Sequence, residues 1–333
     1  MEQNGKERRE DGMVDAIDDR LVRPPTEHDL LEAERVVRKH LAPTPVLNLE
    51  LGGRTVVLKN EAAQVTGSFK IRGALAAIDA ASRDHPGQEL LTVSAGNHGL
   101  GIAYASRLLG IEATIVVPTT ASPAKVAKLR ALGANLVEVG EGFAAAEQYA
   151  LQRARDEQAY FISPYNDPHV IAGQATVARE FLEQVPVLTQ LIVPIGGGGL
   201  ASGVVVATRG TSVEVLGVQP SSNAAMVAAL TGKPFIDGVT AADGLAGDVE
   251  RGSVTIDLLR DARVEVVTVS EEAIAQAVVL AFSEFGMVLE ASGAVGLAAL
   301  SEGLVPVSEQ TGVLLTGRNV SVDRYRELLR QGS

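Results

Sequence analysis

The sequence predicts an α/β protein with two doubly wound sheets, parallel or mixed, and helices on both faces of each. Three observations lead there. Short β-branched runs alternate with longer amphipathic stretches along most of the chain, the pattern of right-handed βαβ units. Glycine-rich loops follow apolar strands and open helices, as in 196-GGGGLASG-203. The chain has 333 residues and is 46% hydrophobic, more than one small core needs at about 150 residues per domain.

The elements follow in order. Residues 26–41 read as an amphipathic helix that Thr26 can cap. Residues 54–61 are a short β-branched strand, and 68–82 a helix. Strand 90–94 precedes helix 98–110, strand 113–118 precedes helix 122–133, and strand 135–140 precedes helix 143–157. Strand 159–164 follows. Strand 189–195 runs through the glycines into helix 200–210, then come strand 213–220 and helix 223–232. The last third holds strand 264–270, helices 271–286 and 293–303, and strand 312–317. We expect residues 1–23 to be a charged, disordered leader, 24–85 and 161–333 a large cofactor-binding domain, and 86–160 a smaller inserted domain.

Composition excludes several classes of function. A net charge of −12 disfavours nucleic acid and anionic membrane surfaces as partners. With no cysteine there is no disulfide, thiolate nucleophile or cysteine-ligated metal. No run is apolar enough to span a bilayer and the first residues lack a signal peptide's apolar segment, so a cytoplasmic location is expected. A P-loop is ruled out because Gly232-Lys233 leads into Pro234; an S-x-x-K motif built on Lys70 would need a serine at position 67, which is Gly67. The sequence contains no G-x-S-x-G elbow.

In α/β sheets ligands sit beyond the C-terminal ends of strands, and three loops there carry chemistry. Gly196, Gly197, Gly198 and Gly199 let backbone amides converge on an anion at a helix start. Gly196, Gly198 and Ala201 also match a dinucleotide fingerprint, but the next strand ends at Gln219, not at the acid a ribose requires, so the loop reads as a phosphate site. The loop 94-SAGNHG-99 offers Ser94, Asn97 and consecutive amides to a carboxylate, or merely a helix cap. In 314-LLTGRNV-320, Thr316 and Asn319 follow a strand. Before them all, 64-QVTGSFKIRGA-74 sets Lys70 at a helix start, where the macrodipole disfavours a cation and a neutral amine is at home. A lysine, a phosphate cradle, a carboxylate loop and a neutral hydroxyl together suit pyridoxal phosphate chemistry.

The motifs 61-EAAQVTGSFKIRGA-74, 94-SAGNHGLGIA-103, 166-NDPHVIAGQATVARE-180, 194-PIGGGGLASG-203, 243-DGLA-246 and 290-EASGAVGLAAL-300 resemble those of fold-type II pyridoxal-phosphate enzymes, the tryptophan synthase β-like fold. Within these the chain is most similar to the threonine/serine dehydratase and serine racemase branch, over residues 25–325 and in the family's order. The resemblance implies that Lys70 joins the cofactor covalently and later removes the substrate Cα proton, and that Phe69 packs on the pyridine ring. Ser94, Ala95, Gly96, Asn97 and His98 would hold the substrate carboxylate, with Asn97 also reaching the ring hydroxyl. Gly196 to Gly199 would take the phosphate, and Thr316 the pyridine nitrogen. A neutral hydroxyl there makes the ring a weaker electron sink than an Asp would, which favours loss of a β-hydroxyl.

Three positions depart from the family pattern. Ala95 replaces the second serine of racemases, so dehydration is expected over racemisation. Gln219, Asn223 and Ala225 supply no carboxylate where that branch binds a divalent cation, so no metal is expected. Arg318 stands where a glycine is usual, which leaves the substrate open. With the sequence ending at Ser333, soon after the last core motif, an appended regulatory domain is not expected. The expected function is a pyridoxal 5'-phosphate-dependent ammonia-lyase turning a 3-hydroxy amino acid, L-threonine or L-serine first, into a 2-oxo acid and ammonia. The alternatives are a racemase, or a dehydratase of 3-hydroxyaspartate or a hydroxyectoine-derived amino acid. A homodimer or homotetramer is expected from the same likeness.

Overall fold

The computed structural model describes residues 22–307 and 310–333, so the expected leader lies almost wholly outside the described residues. The first helix, α1 (Glu27–His40), starts at a reciprocal cap: Thr26 Oγ1 accepts from the Asp29 amide and the Asp29 carboxylate accepts from the Thr26 amide. Then come β1 (Val46–Leu51), β2 (Arg54–Asn60), α2 (Lys70–Asp84), β3 (Leu90–Val93), α3 (Asn97–Leu109), β4 (Ala113–Val117), α4 (Pro123–Ala131), β5 (Asn135–Glu138), α5 (Phe143–Asp156) and β6 (Tyr160–Phe161). The chain continues through α6 (Pro168–Gln184), β7 (Gln190–Pro194), α7 (Gly199–Ala207), β8 (Glu214–Pro220), α8 (Ala225–Thr231), α9 (Val254–Asp261), β9 (Glu265–Val269), α10 (Glu271–Phe285), α11 (Ala291–Ser301), β10 (Thr311–Leu315) and α12 (Val322–Gln331).

Among the described residues the strands form two sheets. One has six strands in the order β1-β2-β10-β7-β8-β9, parallel apart from the β1–β2 hairpin. The other has four parallel strands in the order β5-β4-β3-β6. Helices cover both faces, so the central strands β3, β4, β7 and β10 are buried at every position. In β10, Val313 and Leu315 pack with α10 and α11 while Leu314 packs with α6 and α7 on the opposite face. In the smaller sheet Leu91 and Val93 face α5, and Leu90 faces α2 and α3.

The alternating pattern expected from sequence is present, with four additions. β1 pairs with β2 across Gly52-Gly53, both at positive φ, and was not expected. Helices α6, α9 and α12 were not read as elements either. The strand expected over 159–164 is paired only at Tyr160–Phe161. The remainder of that stretch is a loop that belongs to the site.

Candidate active site

Lys70 is the first residue of α2, and the turn before it is tied to the end of β10. Phe69 N–H donates to Thr316 O at 3.1 Å, Arg318 N–H donates to Gly67 O at 2.9 Å, and Ser68 bridges Gly317. These bonds bring Lys70, Phe69 and Thr316 together. α3 packs directly on the start of α2: a Cβ on Gly101 would come within 3.1 Å of the Lys70 carbonyl oxygen. That close approach carries Ser94 and Asn97, at the end of β3, to the same place.

The Lys70 Nζ donates to Pro164 O at 2.8 Å and lies 5.3 Å from the Phe69 ring centroid. Burial pushes its pKa down to about 8, because the ammonium form loses hydration there. Pro164 belongs to the loop after β6, and the next residue, Tyr165, lies against the glycine loop. A Cβ on Gly197 would stand 2.5 Å from the Tyr165 ring, and one on Gly199 would stand 2.9 Å from Tyr165 Cα. Gly198 has φ +90° and leaves no room beside Thr255, whose hydroxyl donates to Gly197 O at 2.8 Å. The loop 163–166 thus spans from the lysine to the glycine cradle.

Ser94 Oγ accepts from the Gly96 amide at 3.1 Å, a turn that points the following amides one way. Ala95 and Gly96 are half-buried in that turn. The His98 side chain is buried and donates from Nε2 to Thr92 Oγ1 at 3.0 Å, since that hydroxyl itself donates to Ile162 O. Burial, then the nearby Lys70 charge, hold the imidazole neutral, well below its ordinary pKa. His98 therefore offers the site its backbone and not its ring. Thr316 is buried, with only a long 3.5 Å contact from its hydroxyl to Ser292 O.

Sequence reasoning missed Glu290, and it named Asn319 without giving it a partner. Glu290, at the start of α11, accepts from Asn97 Nδ2 at 2.6 Å; Asn319 Nδ2 donates to Asn97 Oδ1 at 2.7 Å. Glu290 opens a quoted motif and Asn319 follows Arg318, but both partnerships cross about 200 residues of sequence and leave no local signal. Arg318 is exposed and makes no ion pair among the described residues. Where a cation site was judged absent, Asn223 Nδ2 donates to Asp237 Oδ1 at 3.0 Å and Gln219 Oε1 accepts from the Val227 amide at 3.0 Å.

The residues present fit pyridoxal phosphate. A lysine amine with a single carbonyl partner, a glycine loop that excludes side chains, and a nearly unpartnered buried hydroxyl are donors of the right chemistry for its aldehyde, phosphate and ring nitrogen. Fold and site together define an α/β enzyme of the lysine-dependent kind. The chain belongs to the pyridoxal-phosphate dependent enzyme family, whose model matches residues 37–317, and it is a lyase of fold type II. It is 38% identical over 322 residues to L-threonine ammonia-lyase of Thermotoga maritima, covering 92% of this chain and 79% of that protein. It is 33% identical to L-threo-3-hydroxyaspartate ammonia-lyase of Saccharomyces cerevisiae, covering 92% and 96%. Maize serine racemase superposes with a TM-score of 0.83 at 30% identity, covering 93% of this chain and 98% of that one.

Proposed function

We propose that this protein is an ammonia-lyase that removes water and then ammonia from a 3-hydroxy amino acid, with L-threonine and L-serine as the first candidates. The observation that carries the reading is the buried Lys70 amine at the joint of the lysine turn, the 163–166 loop and the glycine cradle. When bound, pyridoxal phosphate supplies an electron-withdrawing ring that acidifies the substrate Cα–H and eases loss of the β-hydroxyl.

The chain's residues do the rest. The amides after Ser94 bind the substrate carboxylate and fix the Cα–H bond relative to Lys70. Lys70, with its pKa lowered to about 8 by burial, spends an appreciable fraction of time neutral near neutral pH and accepts the Cα proton. Gly196 to Gly199 hold the phosphate through backbone N–H groups at the start of α7. Phe69 would support the ring, and the buried, neutral Thr316 hydroxyl would serve its nitrogen without charging it. A methyl at Ala95 can neither give nor take a proton, which supports elimination over racemisation. The exposed Arg318, which has no ion pair among the described residues, together with the L-threo-3-hydroxyaspartate ammonia-lyase relative, supports 3-hydroxyaspartate as a second substrate to try. We expect the protein to act as a homo-oligomer, from family likeness.

The test is direct. Purified protein loaded with pyridoxal phosphate should show a visible absorption band and release 2-oxo acid from L-threonine or L-serine. Lys70→Ala should abolish both, and a mutant that keeps the band would remove Lys70 from this role. Chiral analysis of incubated L-serine separates the racemase reading.

A further inference from the structure

We propose that Glu290 is a positioning residue for cofactor chemistry: it locks the Asn97 side-chain amide so that one N–H stays aimed at the ring oxygen. The inference rests on the reading above, in which Asn97 reaches the cofactor.

The orientation can be deduced from the bond chain. Asn319 Nδ2 donates to Thr66 O at 2.8 Å, a backbone acceptor, which fixes the Asn319 NH₂ on that side. Its other N–H reaches Asn97 at 2.7 Å, so Asn97 must present Oδ1 there. Asn97 Nδ2 then faces Glu290 Oε1 at 2.6 Å, and that oxygen must accept. An amide nitrogen carries two donors. One is used on Glu290, and the other has no partner among the described residues. Glu290 is held in place in turn: its N–H donates to Gly317 O at 3.1 Å, and a Cβ at Gly317 would come 2.1 Å from its Oε1.

A carboxylate grips Asn97 about twice as strongly as a neutral acceptor would. Burial pushes the Glu290 pKa up to about 7; the Asn97 bond opposes this, Asp243 on the turn before α9 raises it further, and Lys125 of α4 lowers it. The other charged residues near its contacts are Lys70, two residues past Ser68, and the exposed Arg318, next to Gly317. The remaining neighbours, Asn97, Asn319, Ser68 and Ser292, are neutral. Above pH 7 Glu290 is ionised and the lock is tight; as pH falls through 7 it protonates and the lock loosens.

The test uses the holoenzyme and reads the bound cofactor's absorbance and its dissociation constant from pH 6 to 8, alongside kcat. In the wild-type protein cofactor affinity and kcat should both fall toward pH 6. Glu290→Gln keeps the shape but cannot titrate. It should weaken cofactor binding on the order of tenfold at pH 8, shrink the acid limb to the part that Lys70 protonation supplies, and cost nothing further in an Asn97→Ala background. Glu290→Asp, which keeps the charge but shortens the reach, should bind the cofactor loosely yet still titrate; it serves if the glutamine variant does not fold. An unchanged acid limb in Glu290→Gln, or a loss that adds fully to that of Asn97→Ala, would overturn the proposal while leaving the site intact. A wild-type protein with no band at all would sink the cofactor site and this inference together.

Discussion

At the scale of single residues, the glycine cradle is defined by what it cannot hold. A methyl at Gly197 would lie 2.5 Å from the Tyr165 ring, about 1 Å inside contact distance. The ring has little freedom to yield, because its hydroxyl accepts from the Glu250 amide at 3.0 Å and its chain neighbour Pro164 holds the Lys70 amine. Overpacking of this kind costs about 1–3 kcal/mol. Gly197→Ala is therefore expected to weaken cofactor binding at least about tenfold, the equivalent of roughly 1.4 kcal/mol, by shifting the 163–166 loop and the cradle together. Fluorescence titration of the variant with pyridoxal phosphate checks this; an unchanged dissociation constant would mean that Tyr165 moves aside freely. That Gly197 is a glycine was visible in the sequence, but the reason for it was not, since Tyr165 sits 32 positions earlier and meets the loop only in the folded chain.

Elements differ in how much of themselves they reveal. α10 and the central strands were legible because their residues face a core, so the apolar period survives in the sequence. β1 was passed over although 47-LNLEL-51 alternates as a half-buried strand does; it is a short edge strand that buries only Leu49 fully. α12 was also passed over, although Tyr325, Leu328 and Leu329 recur at helical spacing behind a Ser321 cap; Leu328 is its one fully buried side chain. α2 was found, but its anchor was not. Arg72, two residues past the lysine, is fully buried between two carboxylates: Nε and Nη2 donate to Glu61 at 2.8 Å each, and Nη1 and Nη2 donate to Glu180 at 3.0 and 2.9 Å. Lys59 Nζ completes a neutral set by donating to Glu180 at 2.5 Å. Burial would raise the Glu180 carboxyl, but Arg72 and Lys59 hold it at about 2. Its folded pKa is thus below its unfolded value, so its contribution is full above about pH 4.5 and is lost as pH falls toward 2. Removing the guanidinium leaves two acids buried against a single lysine. Arg72→Ala should then cost about 3–5 kcal/mol in urea unfolding at pH 7, with part of that difference erased below pH 4.5, where Glu180 protonates more readily in the mutant. A loss under 1 kcal/mol would mean that water enters the gap and solvates the acids.

Across the whole molecule, the candidate site draws on both sheets. Ser94 and Asn97 follow β3 of the smaller sheet, whereas Gly196–Gly199 follow β7 and Thr316 follows β10 of the larger. Direct ties between the two halves near the mouth are weak: Lys125 and Asp243 meet at 3.2 Å, but both are well exposed, and such pairs contribute little. The part-buried ties there are two hydrogen bonds at the Asn97 amide, one to Glu290 and one from Asn319. A ligand that contacts residues from both sheets therefore couples them more strongly than these surface ties do. At 100 times its dissociation constant, a cofactor that binds only the folded chain adds about 2.7 kcal/mol to stability. Differential scanning calorimetry of apo and holo protein should show one cooperative transition that moves to higher temperature with cofactor, with the visible band lost across that same transition. In Lys70→Ala, which can still seat the phosphate in the glycine loop but cannot bond the aldehyde, the upward shift should shrink. If instead the smaller sheet melted first while the band survived, the cofactor would be held by the larger sheet alone, and the carboxylate loop after β3 would be a neighbour of the site without being one of its walls.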